Sequence, residues 1–252
     1  MSTRVSAVQD RYAGDIGDFM KFGLLRALAD ESGLRLGVNW YLTGDESHNA
    51  DGKHVTYLDP ANSFHASLKR RDPDLMARLA GVVAAGRSVS ALEAAGVLPT
   101  GTVTYPARLD DRMWEPGRAR WHQGALDSLA GAQVVFVDPD NGIRSVRNGP
   151  TPSKFVFPDE LADYTGRGQS LIVYHHADRS PGGVAIQVPR RLNELADATG
   201  VDPLGAVIAR RASVRYFFVV PAAAHRDRLA QALGTYVDLW AAHTEYVAFA
   251  GP

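Results

Sequence analysis

The sequence predicts an α/β fold, a three-layer sandwich around a mostly parallel sheet, on two observations. Segments with strand character alternate with helical segments along most of the chain, the pattern of a parallel sheet covered on both faces. The run Val134-Val135-Phe136-Val137 is apolar at every position, as expected of a strand buried on both faces. It runs straight into Asp138-Pro139-Asp140-Asn141-Gly142, where Pro and Gly stop the strand. No internal repeat or low-complexity linker interrupts the pattern. A single domain over residues 1–252 is the simplest account.

The elements follow in order. A helix is predicted over Asp18–Ala29, where Phe19, Phe22, Leu24, Leu25 and Leu28 give an apolar surface. Asp15 and Asp18 are its candidate caps. Leu34–Leu42 reads as a strand ending in a polar loop from Thr43 to Gly52, and Val55–Leu58 as a short strand. Helices are expected near Pro73–Ala84 and Ser88–Ala95, a strand over Gly101–Leu109, and a helix over Arg118–Ala130 leading into the Val134 strand. Ile143–Pro152 reads as a polar loop, Asp159–Thr165 as a short helix, and Ser170–His176 as a strand. A helix over Val184–Thr199, its regularity limited by Pro189, precedes a strand at Leu204–Arg210. Tyr216–Val220, a helix at His225–Ala241 and Glu245–Ala250 complete the chain.

Composition sets bounds. The apolar fraction of 45% supports a sizeable core, and the formal charge of −1 means that nucleic-acid binding requires a local basic patch. The absence of cysteine excludes disulfides, thiol catalysis and thiolate metal sites. No apolar run approaches the roughly 18 residues of a membrane helix. Met1–Asp10 lacks the apolar core of a signal peptide. A soluble, cytoplasmic protein without membrane partners is the expectation.

Chemistry is expected where the Val134 strand ends, because ligands bind at the carboxyl ends of strands in open α/β sheets. Asp138 and Asp140 deliver two carboxylates there and Asn141 an amide. The ordinary alternative is a turn, for which Pro-Asp-Asn-Gly is also suited. A second cluster is Gly14-Asp15-Ile16-Gly17-Asp18-Phe19-Met20-Lys21. Asp18 and Lys21 share a helix face, and the glycines would let backbone amides approach a ligand. In the loop after the first strand, Gly44, Asp45, Glu46 and Asp51 are candidates for a ribose or a divalent cation. Tyr174-His175-His176 closes a strand, so its two histidines point to opposite faces and do not chelate one metal together without distortion. His122 with either of them has no specific metal-site spacing. Arg144, Arg147 and Lys154 follow the Asp138 motif as a candidate phosphate rim. Trp114, Trp121 and Tyr164 are candidates for base stacking or for the core.

The order of these features resembles the bacterial enzymes that methylate adenine N6 in large-subunit ribosomal RNA. Gly14-Asp15-Ile16-Gly17-Asp18-Phe19-Met20-Lys21-Phe22 is similar to their Gly-Asn-His-Ala-Asp-x-x-Lys-His segment. Tyr41-Leu42-Thr43-Gly44 takes the place of their cofactor strand end, and Asp138-Pro139-Asp140-Asn141 that of their Asp-Pro-Pro-aromatic motif. The resemblance spans most of the chain, yet no motif is intact: Asp140 replaces the second Pro, and Asn141 has no ring to stack on a flipped base. Gly-Asp-x-Gly-Asp-Phe, Asp-Pro-Asp-Asn-Gly and Tyr-His-His also resemble a closer, uncharacterised bacterial and phage family.

The resemblance implies a Rossmann-like, methyltransferase-type sandwich using S-adenosylmethionine on a nucleic acid or nucleotide-like substrate. It implies Gly14, Asp15, Asp18, Lys21, Gly44, Asp45 and Glu46 as cofactor-binding. Asp138 and Pro139 would accept from the substrate amine, with Asp140, Asn141 and His175 beside them. One alternative is a metal-dependent nuclease or phosphohydrolase, in which Asp138, Asp140, Asp15 and Asp18 converge on a divalent cation and Lys21 meets the phosphate. Another is a non-catalytic module that binds nucleic acid or a partner.

Overall fold

The computed structural model describes residues 12–43, 54–110, 116–178 and 180–251. Its centre is a seven-stranded sheet made of β1 (Leu36–Asn39), β2 (Val103–Tyr105), β3 (Val134–Val137), β6 (Ser170–His176), β7 (Gly205–Ala209), β8 (Arg215–Val220) and β9 (Thr244–Ala248). Their spatial order is β2-β1-β3-β6-β8-β7-β9. β2, β1, β3 and β6 pair in parallel; β8 runs against both β6 and β7, and β9 against β7. The chain therefore builds outwards from β1 to β2, then returns past β1 to β3 and continues the other way. β1 and β3 flank this reversal, where an open sheet leaves a crevice.

Alternation along the strands sorts the core into two halves. Val134, Phe136 and Ile172 face α1 (Ile16–Ser32), α3 (Pro73–Ala85), α4 (Val89–Ala94) and α8 (Arg226–Trp240). Val135, Val137, Leu171 and Val173 face α5 (Gly117–Ser128), α6 (Pro158–Gly166) and α7 (Gly183–Thr199). Helices thus cover both faces of the sheet, the Rossmann-like three-layer sandwich expected from the alternating pattern. Among the described residues no helix is long and apolar enough to cross a membrane.

Most elements lie within a few residues of their expected positions, and Ser170–His176 coincides with β6. Pro189 does not end α7, which is held to the core by Val188, Leu192 and Leu195. Two segments differ. Thr56–Leu58 is a turn of 3₁₀ helix rather than a strand, closed by local bonds from Leu58 N to Val55 O and Asp59 N to Thr56 O. Tyr57 anchors it by donating to the carbonyl of Gly14 at 3.1 Å. The expected loop after Asp138 instead opens with β4 (Gly142–Ile143), which pairs in parallel with β5 (Phe155–Val156). A short helix, α2 (His65–Lys69), also precedes α3.

Candidate functional site at the β1–β3 crevice

The amino terminus of α1 is built by two aspartates with reciprocal roles. Asp15 is the N-cap and accepts from Asp18 N at 3.0 Å, while Asp18 Oδ2 accepts from Gly14 N at 2.9 Å. The first bond satisfies a first-turn amide that a helix start leaves without a partner, and the second ties the residue before the cap to the helix. One turn later Lys21 projects from the same face. Its Nζ lies 3.1 Å from Asp18 Oδ1 and 2.8 Å from Asp138 Oδ2, so the first helix is tied to the end of β3.

Lys21 is enclosed by aromatic rings, with Trp40, Phe136 and Tyr174 each centred within 6 Å of its ammonium. Burial alone would lower the pKa of this amine, but the carboxylates of Asp138 and Asp18 outweigh it, and the pKa is raised. At Asp138 burial acts in the opposite sense. It pushes the carboxyl up to about 6 against the pull of Lys21, with Asp18 and Asp140 adding repulsion. The crevice therefore holds a protonated lysine beside a carboxyl poised near neutrality. Asp15 is also raised, by burial and by Asp18, against the opposing charge of Arg215.

The turn after β3 is stitched to its surroundings on three sides. Asp138 N donates to Asn39 O at the end of β1, Asn141 N donates to Lys154 O, and Asn141 O accepts from His176 N on β6. Asp140 forms an ion pair with Lys154 at 3.1 Å. Gly142 adopts φ +109°, and His175 lies directly against it. His175 Nδ1 accepts from Ile143 N at 2.9 Å, which makes Nε2 the protonated nitrogen. That nitrogen is buried without a partner among the described residues. Burial and then Arg191 hold the His175 pKa down to about 3, so the ring is neutral and is not a general acid or base near pH 7.

These groups line one cleft of about 710 Å³ at the carboxyl ends of β1, β3 and β6. That is a size suited to a small molecule or nucleotide. Asp15, Asp18, Lys21, Asp138, Asn141 and His175 all border it. The structure therefore brings together the two clusters singled out in the sequence. At the end of β1, Asn39 Oδ1 and Thr43 Oγ1 are buried with no hydrogen-bond partner among the described residues, and neither residue lines the cleft. Tyr41, between them, has φ +47°, an uncommon conformation for a bulky residue. Gly44, Asp45, Glu46 and Asp51 lie outside the described residues, as does Trp114.

Other candidates are placed differently. Gly14 and Gly17 are closely packed, a Cβ at Gly14 lying 2.7 Å from Val83 and one at Gly17 lying 2.6 Å from the Arg215 guanidinium, and Gly17 lines the cleft. Lys154 borders the cleft, but Arg147 pairs with Asp159 and stacks on Phe157, and Arg144 stacks on Phe155. Trp121 and Tyr164 are core residues. His122 pairs with Asp163 at 3.0 Å. Among the described residues, no three His, Asp or Glu side chains form a metal-ligand group.

Sequence reasoning overlooked Arg215. It begins β8, reaches Asp15 at 3.6 Å and borders the cleft. The available signal was a charge placed directly before the apolar run Tyr216–Val220. Trp40 carried no signal of its own and Tyr174 only its place beside the strand-closing histidines, yet both line the cleft around Lys21.

Fold and site together define a Rossmann-like α/β protein with a charged, aromatic-walled cleft at the reversal point of its sheet. No protein-family model and no curated protein matches the chain.

Proposed function

We propose that the protein is an S-adenosylmethionine-dependent methyltransferase-like enzyme acting on a nucleic acid or nucleotide-like substrate. The observation that carries this reading is Asp138 itself. Its carboxyl sits at the reversal point of the sheet, anchored through Oδ2 by Lys21 and pushed up to about 6. Oδ1 is the oxygen left to accept from a substrate amine, and the adjacent Pro139 carbonyl is a second acceptor. Two acceptors on one amine direct its lone pair away from them, and such transfer depends chiefly on positioning.

The bound cofactor would supply an electrophilic methyl group on a sulfonium. Asp138 would take up the proton released from the substrate nitrogen, a role matched to a carboxyl titrating near neutrality. Trp40 and Tyr174 offer apolar walls that exclude water. The fold adds support only by analogy.

A metal-dependent nuclease or phosphohydrolase fits less well. Asp18 spends both carboxylate oxygens on Gly14 N and Lys21, and Asp138 holds the same ammonium. Lys21 thus occupies the position between carboxylates that a divalent cation would need. Isothermal titration with S-adenosylmethionine and with its demethylated product tests the proposal. Binding of either supports it, and no heat or competition from both overturns it. Asp138→Ala should retain cofactor binding while losing methyl transfer to an oligonucleotide.

A further inference from the structure

Beyond the cleft, the end of α2 carries three consecutive exposed bases, Lys69, Arg70 and Arg71. None of the three forms an ion pair among the described residues. Arg211, from the turn between β7 and β8, joins them with its guanidinium 3.8 Å from the centre of the Phe64 ring. Phe64 is 43% exposed, so part of its ring is open to solvent beside these cations.

These cations form one electrostatic field. His243 is buried at the start of β9, and its Nδ1 lies 3.2 Å from Arg211 Nη2. Burial first, then Arg211, Arg71 and Arg70, lower its pKa, so charges from both segments act on one imidazole. The patch also adjoins the cleft through the turn that carries Arg211. The carbonyls of Arg211 and Ser213 both accept from Arg215, whose guanidinium lines the cleft beside Asp15.

We propose that Lys69, Arg70, Arg71 and Arg211, with the Phe64 ring, bind the backbone of a single-stranded nucleic acid that passes from this surface into the cleft. Unpaired bases need an exposed aromatic face to stack on, and phosphates need cations not already neutralised. Both are present here, and an acidic peptide would use the cations without the ring. The inference deepens the nucleic-acid part of the proposed function and rests on that reading for its connection to the cleft.

The test is fluorescence anisotropy with a labelled, mixed-sequence single-stranded RNA across a salt series. Arg70→Ala/Arg71→Ala should weaken binding at least tenfold and reduce the salt slope by about 1.4, the value for two single-strand phosphate contacts. Phe64→Ala should weaken binding about fivefold or more with an unchanged slope. Arg35→Ala, just before β1 at the end of the parallel strands opposite the cleft, should have no effect. Circular dichroism confirms that each variant is folded.

Wild-type affinity and slope in the folded arginine variant would overturn the surface, as would no RNA binding at low salt. Equal, Arg70-dependent binding of polyglutamate would overturn the nucleic-acid assignment. Cofactor titration separates the two proposals. RNA binding through this patch without any cofactor binding removes the methyltransferase reading alone. Cofactor binding with patch-independent RNA binding removes the surface alone.

Discussion

A Cβ placed on Gly142 would lie 2.2 Å from Nδ1 of His175 and 2.7 Å from its Cα. The glycine ending the Asp-Pro-Asp-Asn-Gly motif is therefore the floor on which the β6 histidine rests. Its φ of +109° is also a conformation that residues with side chains rarely adopt.

Gly142→Ala combines backbone strain with a clash against backbone and a buried ring. The expected cost is roughly 2–4 kcal/mol of unfolding free energy. Urea denaturation measures it. A loss below about 0.5 kcal/mol would mean that β4 and His175 separate easily, contrary to the packing described above.

Asp138 makes stability depend on pH in a defined direction. Its folded pKa of about 6 lies above its ordinary value of 3.8. Its contribution is therefore fully present below pH 3.8 and is lost as pH rises through 6. Between pH 4 and pH 6 the wild type should lose a few kcal/mol relative to Asp138→Asn, which has no proton to lose. Denaturation of both proteins across this range gives the difference; a wild type that gains on the variant would contradict the buried, raised carboxyl.

His175 shifts the other way. Its folded pKa of about 3 is below the ordinary 6.5, so its contribution is present above 6.5 and is lost as pH falls towards 3. Long-range ¹H–¹⁵N NMR spectra should show a neutral ring protonated on Nε2 from pH 7 down to pH 5. An imidazolium signal at pH 6 would refute the assignment.

Arg118 supports the second face of the sheet from below the cleft. Its guanidinium binds both oxygens of Glu160 at 2.6 and 2.9 Å, and the Tyr41 hydroxyl donates to the same carboxylate at 3.2 Å. Arg118→Met would remove the bidentate cation of a buried carboxylate, leaving only Arg147 at 3.8 Å, and should cost about 3 kcal/mol. Replacing Glu160 by Gln in the same background should recover part of the loss in a double-mutant cycle. An additive cycle would show that the pair is energetically uncoupled.

Local chemistry made much of the architecture legible. The all-apolar Val134–Val137 run is buried along its whole length, and the Ser170–His176 strand has the expected bounds. Asp15 caps α1 because a short carboxylate reaches its own helix's amides whatever packs nearby. The same locality made the Asp18–Lys21 contact visible, since residues three apart on a helix are neighbours. The Thr56–Leu58 turn was misread because a short apolar segment has too few residues to reveal its period. The β4–β5 pair was missed because two-residue strands carry no period at all.

The sequence by itself determined where strands end and which charged residues stand there: Asp138 after one apolar run, His175 at the end of another, Lys21 one turn into a capped helix. Only the tertiary structure decided that Lys21 meets Asp138 across 117 residues of chain, and that Arg215 enters from a strand running in the opposite direction. It also decided that Trp121 and Tyr164 are spent on the core while Trp40 and Tyr174 wall the cleft. The reason is physical. Strand ends, caps and helix faces follow from torsions and hydrogen bonds within a few residues. Partners across the sheet follow from strand order, and strand order is settled by how all the apolar faces are buried together.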